Sequence, residues 1–217
     1  MSRTRKVSLL IAVAAVGALT FGGMKASASP NAGETTEDHL VPAGTHVTGT
    51  SSRTVFSVGH GVIIVTCTHS TSGTTTAKTG LPFTKISPLP QFNDGAGKPC
   101  TDNTGSTDTT TTQGTWLIGF LDKASDETSA EPNAGDRLEV IVPKAGAIVT
   151  NTLHCKIIVA PNGPFKVIGA YDDHSKFTVN ISGLPIQVSG PAQCPSAATT
   201  STFTGVYIFS PGVHDVS

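Results

Sequence analysis

The chain is short of charge, of aromatic rings and of helical periodicity, and each shortage removes a class of function. Charged residues make up 13% of the 217 positions and aromatic ones 6%. Four of the 14 basic residues (Arg3, Arg5, Lys6, Lys25) fall in the first 28 positions and none of the 15 acidic ones does. The other 189 residues therefore carry 10 basic against 15 acidic side chains, a net charge of −5. No basic stripe is left to hold phosphates, which argues against nucleic-acid binding and against adhesion to anionic membranes. Helix-period stripes are missing except for one short, weakly apolar candidate, Asp122 to Ala130. No two of the four cysteines lie two to four residues apart, as a zinc site of the finger type would need. The seven histidines show neither H-x-x-x-H nor H-E-x-x-H spacing, and no G-x-S-x-G elbow is present to activate a serine.

What is there begins with a leader. Arg3, Arg5 and Lys6 precede an apolar run from Val7 to Phe21, and Ala26-Ser27-Ala28 places small residues where a signal peptidase reads. The expectation is a secretory signal peptide, Met1 to Ala28, cleaved after Ala28. A retained anchor is the alternative. It is disfavoured because Gly17, Thr20, Gly22 and Gly23 break the run, and a spanning helix needs about 20 apolar residues. The remainder is then expected outside the cytoplasm, with no membrane contact after cleavage. Ser29 to His39, with Glu34, Glu37 and Asp38, reads as a flexible acidic leader to a single domain over residues 40–217.

Export makes the cysteines available as staples. Cys67, Cys100, Cys155 and Cys194 allow three pairings. Cys67–Cys100 with Cys155–Cys194 is favoured because each pair closes a loop within one half of the chain. Each closure is worth about 3–4 kcal/mol in the chain-entropy account.

From Leu40 onward, short apolar segments alternate with Gly and Pro. Arg53 to Val58 reads as a strand and Gly59-His60-Gly61 as a turn. Val62 to Cys67 is a continuous β-branched run, expected to be covered on both faces. Trp116 to Leu121 is a second buried strand, with Trp116 in the core. Leu138, Val140 and Val142 share a face; so do Cys155, Ile157 and Val159, and Phe177, Val179 and Ile181. Pro185 marks the edge or opening of a strand. Phe203, Tyr207 and Phe209 lie on one side of the last strand. About ten short strands with frequent turns predict an all-β fold, an antiparallel sandwich or barrel stapled by disulfides. The Pro- and Gly-rich stretch before Cys100 and the Thr tracts Thr74–Thr76 and Thr109–Thr112 are expected to be loops.

The candidate chemistry is thin. Asp172-Asp173-His174 is the most reactive-looking triplet, since adjacent carboxylates raise one another's pKa and an imidazole can shuttle protons. The same residues are what a tight turn selects, and the strands on either side favour a hairpin tip. His60, His69 and His154 read as turn or surface histidines. Asp122, Asp126, Glu127, Glu131 and Asp136 carry enough carboxylate for calcium but lack the alternating loop pattern. For carbohydrate stacking, Tyr171 and Tyr207 are better candidates than Trp116, because each can bury its ring and offer its hydroxyl.

Leu184 to Cys194, Thr202-Phe203-Thr204-Gly205-Val206-Tyr207 and Ser210-Pro211-Gly212-Val213 together resemble a group of small exported β proteins of actinobacteria. In that group a signal peptide precedes a Thr/Ser/Gly-rich domain with four spaced cysteines, closed by a Phe-x-Gly-x-Tyr strand. The resemblance is sharp over the last thirty or so residues and loose elsewhere. It implies a secreted all-β domain and carries no catalytic residue across. The expectation is a non-catalytic module of the cell exterior or envelope that binds an unidentified extracellular or cell-wall ligand, without a cofactor. The alternative is a small hydrolase or metal-dependent enzyme whose groups converge from separate loops.

Overall fold

The computed structural model describes residues 39–41, 44–76, 83–121, 136–172, 175–212 and 214–216. The expected signal peptide, the acidic leader up to Asp38, and the candidate helix with most of the acidic insert lie outside them. Strands account for almost all regular structure. In chain order they are β1 His39–Val41, β2 His46–Ser51, β3 Thr54–Val58, β4 Ile63–Cys67, β5 His69–Thr75 and β6 Thr84–Lys85. There follow β7 Gln91–Asn93, β8 Cys100–Asp102, β9 Thr107–Thr112, β10 Leu117–Leu121, β11 Asp136–Val142 and β12 Ala147–Asn151. The last five are β13 Lys156–Val159, β14 Phe165–Asp172, β15 Lys176–Ser189, β16 Thr200–Ser210 and β17 His214–Val216. Gly59–Gly61 is the expected turn, a single 3₁₀ turn between β3 and β4.

All pairings are antiparallel, and they close. Following hydrogen-bonded neighbours, β15, β13, β12, β9, β8, β4, β3 and β16 form a ring of eight strands that ends on itself, because β16 also pairs with β15. The fold is thus a closed barrel with additional strands, not a sandwich. The other half of the long β15–β16 hairpin carries these additions. β14, β11, β10 and β6 extend from β15, while β2, β5 and β7 extend from β16. The two wings meet where Thr74 bridges Ile86 and the Ser87 amide donates to the Gly73 carbonyl at 2.6 Å. Both halves therefore rest on one shared hairpin. β1 and β17 form a separate two-stranded ribbon.

That hairpin contains a device that alternation alone conceals. Phe177 and Val179 point inward from odd positions, whereas Leu184, Ile186 and Val188 point inward from even ones. A register shift between Ser182 and Leu184 absorbs the difference. Gly183, with φ +78°, supplies the left-handed residue that the bulge requires. What reads as two strands is one, and Pro185 sits inside it, paired with Thr200.

The described residues hold seventeen strands where about ten were expected. The surplus comes from hydroxyl-rich and Pro-rich sequence. Thr74 belongs to β5 and Thr109–Thr112 to β9, so these tracts are strands, not loops; β-branched threonine suits a pleated surface as well as valine does. The stretch before Cys100 likewise contains β7, hydrogen-bonded to β5. β4 is fully covered on one face, where Ile63, Val65 and Cys67 are buried, and only partly on the other, where Ile64 and Thr66 are half-buried; Val62 just before it is 54% exposed.

The four cysteines pair as expected, Cys67 with Cys100 and Cys155 with Cys194, at Cα separations of 4.7 and 5.6 Å. The first joins β4 to β8, inside the ring. The second ties the start of β13 to the segment between β15 and β16. No helix among the described residues is long and apolar enough to cross a membrane.

Candidate functional site: an apolar chamber and a buried acid pair

Inward-facing side chains of both halves surround a cavity of about 130 Å³. Its wall includes Phe56 from β3, Trp116 just before β10, Val149 from β12, Phe177 from β15, and Phe203 and Tyr207 from β16. Trp116 is core, as expected, and its indole N–H donates to the Gln113 carbonyl at 3.0 Å. Aromatic rings brace the wall. Phe92 meets Phe203 edge-on with centroids 6.2 Å apart, and Phe209 packs against Phe177 at 6.3 Å and Tyr171 at 5.9 Å. Residue 169 must be glycine for this packing, because a Cβ there would collide with the Thr178 carbonyl and lie 2.5 Å from the Phe177 ring.

Polar groups on the wall are few. Tyr207 turns its hydroxyl away from solvent to accept a hydrogen bond from Ser70 Oγ at 3.0 Å. Burial pushes that phenol up to about 12, partly offset by the Ser70 bond. Tyr171 is 2% exposed. Neither tyrosine offers a platform for a sugar, which corrects that expectation: both rings are needed to fill the interior. Thr54 is different again. It is wholly buried, it lines the cavity, and its hydroxyl oxygen has no hydrogen-bond partner.

Beside the Cys67–Cys100 disulfide lies a polar cluster that sequence reading missed. Asp102 closes the turn between β8 and β9: its Oδ1 accepts from the Thr104 amide at 2.8 Å, the Thr104 hydroxyl at 2.6 Å and the Ser106 amide at 2.9 Å. Asn151 Nδ2 donates to Asp102 Oδ2 at 3.4 Å, and its Oδ1 accepts from the Cys155 amide at 2.9 Å. Asp108, opposite both Cys100 and Asn151 in the ladder, is fully buried, and neither carboxyl oxygen has a partner. Burial, reinforced by the Asp102 carboxylate, pushes Asp108 up to about 7. A carboxyl group without donors around it persists in such a place by keeping its proton. The available signal was one acid at an inward position of a threonine strand, Thr107-Asp108-Thr109.

Asp172 is where the turn reading puts it. Its Oδ1 accepts from the Lys176 amide at 3.1 Å, its carboxylate lies 3.4 Å from Lys176 Nζ, and the Ser175 amide bonds its carbonyl. β14 and β15 pair up to Asp172 and Lys176, so this is a hairpin end. Asp173 and His174 lie outside the described residues, as do Asp122, Asp126, Glu127 and Glu131. His60 borders an open groove of about 560 Å³ lined by small residues, among them Ser57, Ser182, Pro195, Ala197, Ala198 and the segment Thr199 to Thr202. Among the described residues no carboxylate lines that groove to orient the imidazole. Neither Asp102 nor Asp108 borders the chamber or the groove. No three His, Cys, Asp or Glu side chains among the described residues converge as metal ligands would.

Comparison with known proteins finds no matching family model, no matching curated protein and no matching solved structure.

Proposed function

We propose that the chain is an exported, non-catalytic binding module whose ligand site is the chamber walled by strands of the ring and of the two wings. The carrying observation is an apolar cavity of about 130 Å³ at the centre of a framework closed by hydrogen bonds and two disulfides. A ring of eight strands has an interior that either fills with its own side chains or holds one small ligand. A cavity lined by hydrocarbon stays dry and takes up apolar guests. Export draws support from the leader composition and from the disulfides, which persist in oxidising surroundings. The hydrolase alternative needs a nucleophile, a base and an orienting group in one cleft. The groove at His60 has hydroxyls and an imidazole without the third.

Two measurements test this. Mass spectrometry of protein from the culture medium is expected to find a chain beginning at Ser29 with no free thiol; an intact Met1 or four thiols would remove the export half. Solvent extraction of the same protein is expected to release a small apolar molecule. Adding that molecule back at about a hundred times its Kd should stabilise the fold by about 2.7 kcal/mol, a rise of about 5–10 °C in Tm. An unchanged Tm at saturation would defeat the binding half.

A further inference from the structure

The make-up of the chamber wall narrows the ligand class, on the reading that the chamber is the binding site. Aromatic residues are scarce in this chain, nine Phe, two Tyr and one Trp in 217 positions, yet seven of these twelve line the cavity. They arrive from β3, β7, the approach to β10, β15 and β16, so the fold gathers them from most of its length. Their rings are set against one another. Phe92 stands edge-on to Phe203 with an interplanar angle of 89°, and Phe177 stacks on Phe209 at 30°. Flat, rigid rings fixed in this way cannot bend into the space between them as a methionine would. The cavity is what they leave open.

What the wall lacks sets the other limit. Its surface toward the cavity is almost wholly carbon, and among the described residues no charged side chain lines it. The polar atoms of its aromatic residues are used elsewhere: the Trp116 N–H donates to the Gln113 carbonyl, and the Tyr207 hydroxyl accepts from Ser70. Thr54 offers a guest nothing, because its hydroxyl oxygen has essentially no accessible surface. A guest carrying a hydroxyl or a carboxylate would give up water and gain no partner. A quaternary ammonium, which aromatic cages also hold, would find no carboxylate in the wall to balance its charge. A cavity of about 150 Å³ holds benzene, so about 130 Å³ suits one six-membered ring and excludes a sterol or a long acyl chain. We infer that the chamber binds a single-ring aromatic hydrocarbon, of the benzene or methylbenzene class, held by contacts between rings and by no hydrogen bond.

The test compares benzene, cyclohexane, phenol, tetramethylammonium and dodecanoate on the secreted protein and on Phe92→Leu. Chemical-shift titration is read at the Val65 and Val149 methyls, which line the cavity. The variant is expected to fold, because Phe92 is only partly buried and leucine keeps the position apolar. Benzene should bind the native chain, phenol at least about tenfold more weakly, and tetramethylammonium and dodecanoate should shift no methyl. Phe92→Leu should weaken benzene about threefold more than it weakens cyclohexane, the equivalent of one contact between rings. Equal losses for benzene and cyclohexane would overturn the ligand class while the chamber still stands as a binding site. So would phenol, tetramethylammonium or dodecanoate binding as tightly as benzene. No shift with any probe would remove both. Should Phe92→Leu fail to fold, the ranking of the five probes on the native chain decides alone.

Discussion

Replacing Asp108 by asparagine isolates the acid that the barrel buries without donors. In the native chain the folded state holds the Asp108 proton up to about pH 7, whereas an unfolded aspartate releases it near its ordinary value of 3.8. Between those limits the folded state binds one proton more than the unfolded state, so stability falls as pH rises. The contribution is fully present below about pH 4 and is gone above about pH 7. A tenfold change in proton affinity is worth about 1.4 kcal/mol, which caps the effect at about 4 kcal/mol across the window. Asp94 acts in the opposite sense and elsewhere. Its carboxylate, held down by the amides of Ala96 and Lys98, favours the folded state above the ordinary carboxylate range and loses that advantage only in stronger acid. Urea unfolding with both disulfides intact, at half-unit steps from pH 4.5 to 8, should therefore show a falling midpoint for the native chain. Asp108→Asn should flatten that fall and be the more stable protein at pH 8. Parallel pH profiles for the two proteins would refute the reasoning, because the difference between them reports Asp108 alone.

The disulfides and the interior packing give further tests. Replacing Cys67 and Cys100 together by alanine, or Cys155 and Cys194 together, reopens loops of 33 and 39 residues and should lower unfolding free energy by about 3–4 kcal/mol each in denaturant titrations. Losses below about 1 kcal/mol would mean that the closed ring alone restrains the chain. Gly169→Ala forces a Cβ into the Thr178 carbonyl and the Phe177 ring, with an expected loss of about 1–3 kcal/mol and a Tm lower by about 5 °C. An unchanged Tm would show that β14 can move off Phe177 freely.

Much of this architecture could be read from residue pattern, and the exceptions have physical causes. Alternation exposed the inward rows of β11, β13 and β16, since a period of two places Leu138, Val140 and Val142, or Phe203, Tyr207 and Phe209, on one side whatever the neighbours are. It failed across Gly183, where one extra residue inverts the phase and splits a single long strand into two apparent ones. It failed in the threonine tracts because hydroxyls look like loop residues by polarity, whereas their branched Cβ suits a strand. Val62 to Cys67 looked covered on both sides because composition cannot say which face of a β-branched run another layer will occupy.

The sequence by itself determined the all-β class and the core role of Trp116, because each follows from local pattern and side-chain shape; it favoured one of three cysteine pairings, and the structure decided that one. Closure of the ring, the chamber walled by ring and wing strands, and the solitary states of Thr54 and Asp108 were decided by tertiary structure alone. Those properties depend on which strands meet across 31 to 137 positions of chain, as the Thr45–Thr76 and Ser70–Tyr207 hydrogen bonds do, and no local pattern encodes such a meeting. A hydroxyl or carboxyl group becomes an orphan only when the groups around it are known, and those groups arrive from the rest of the fold.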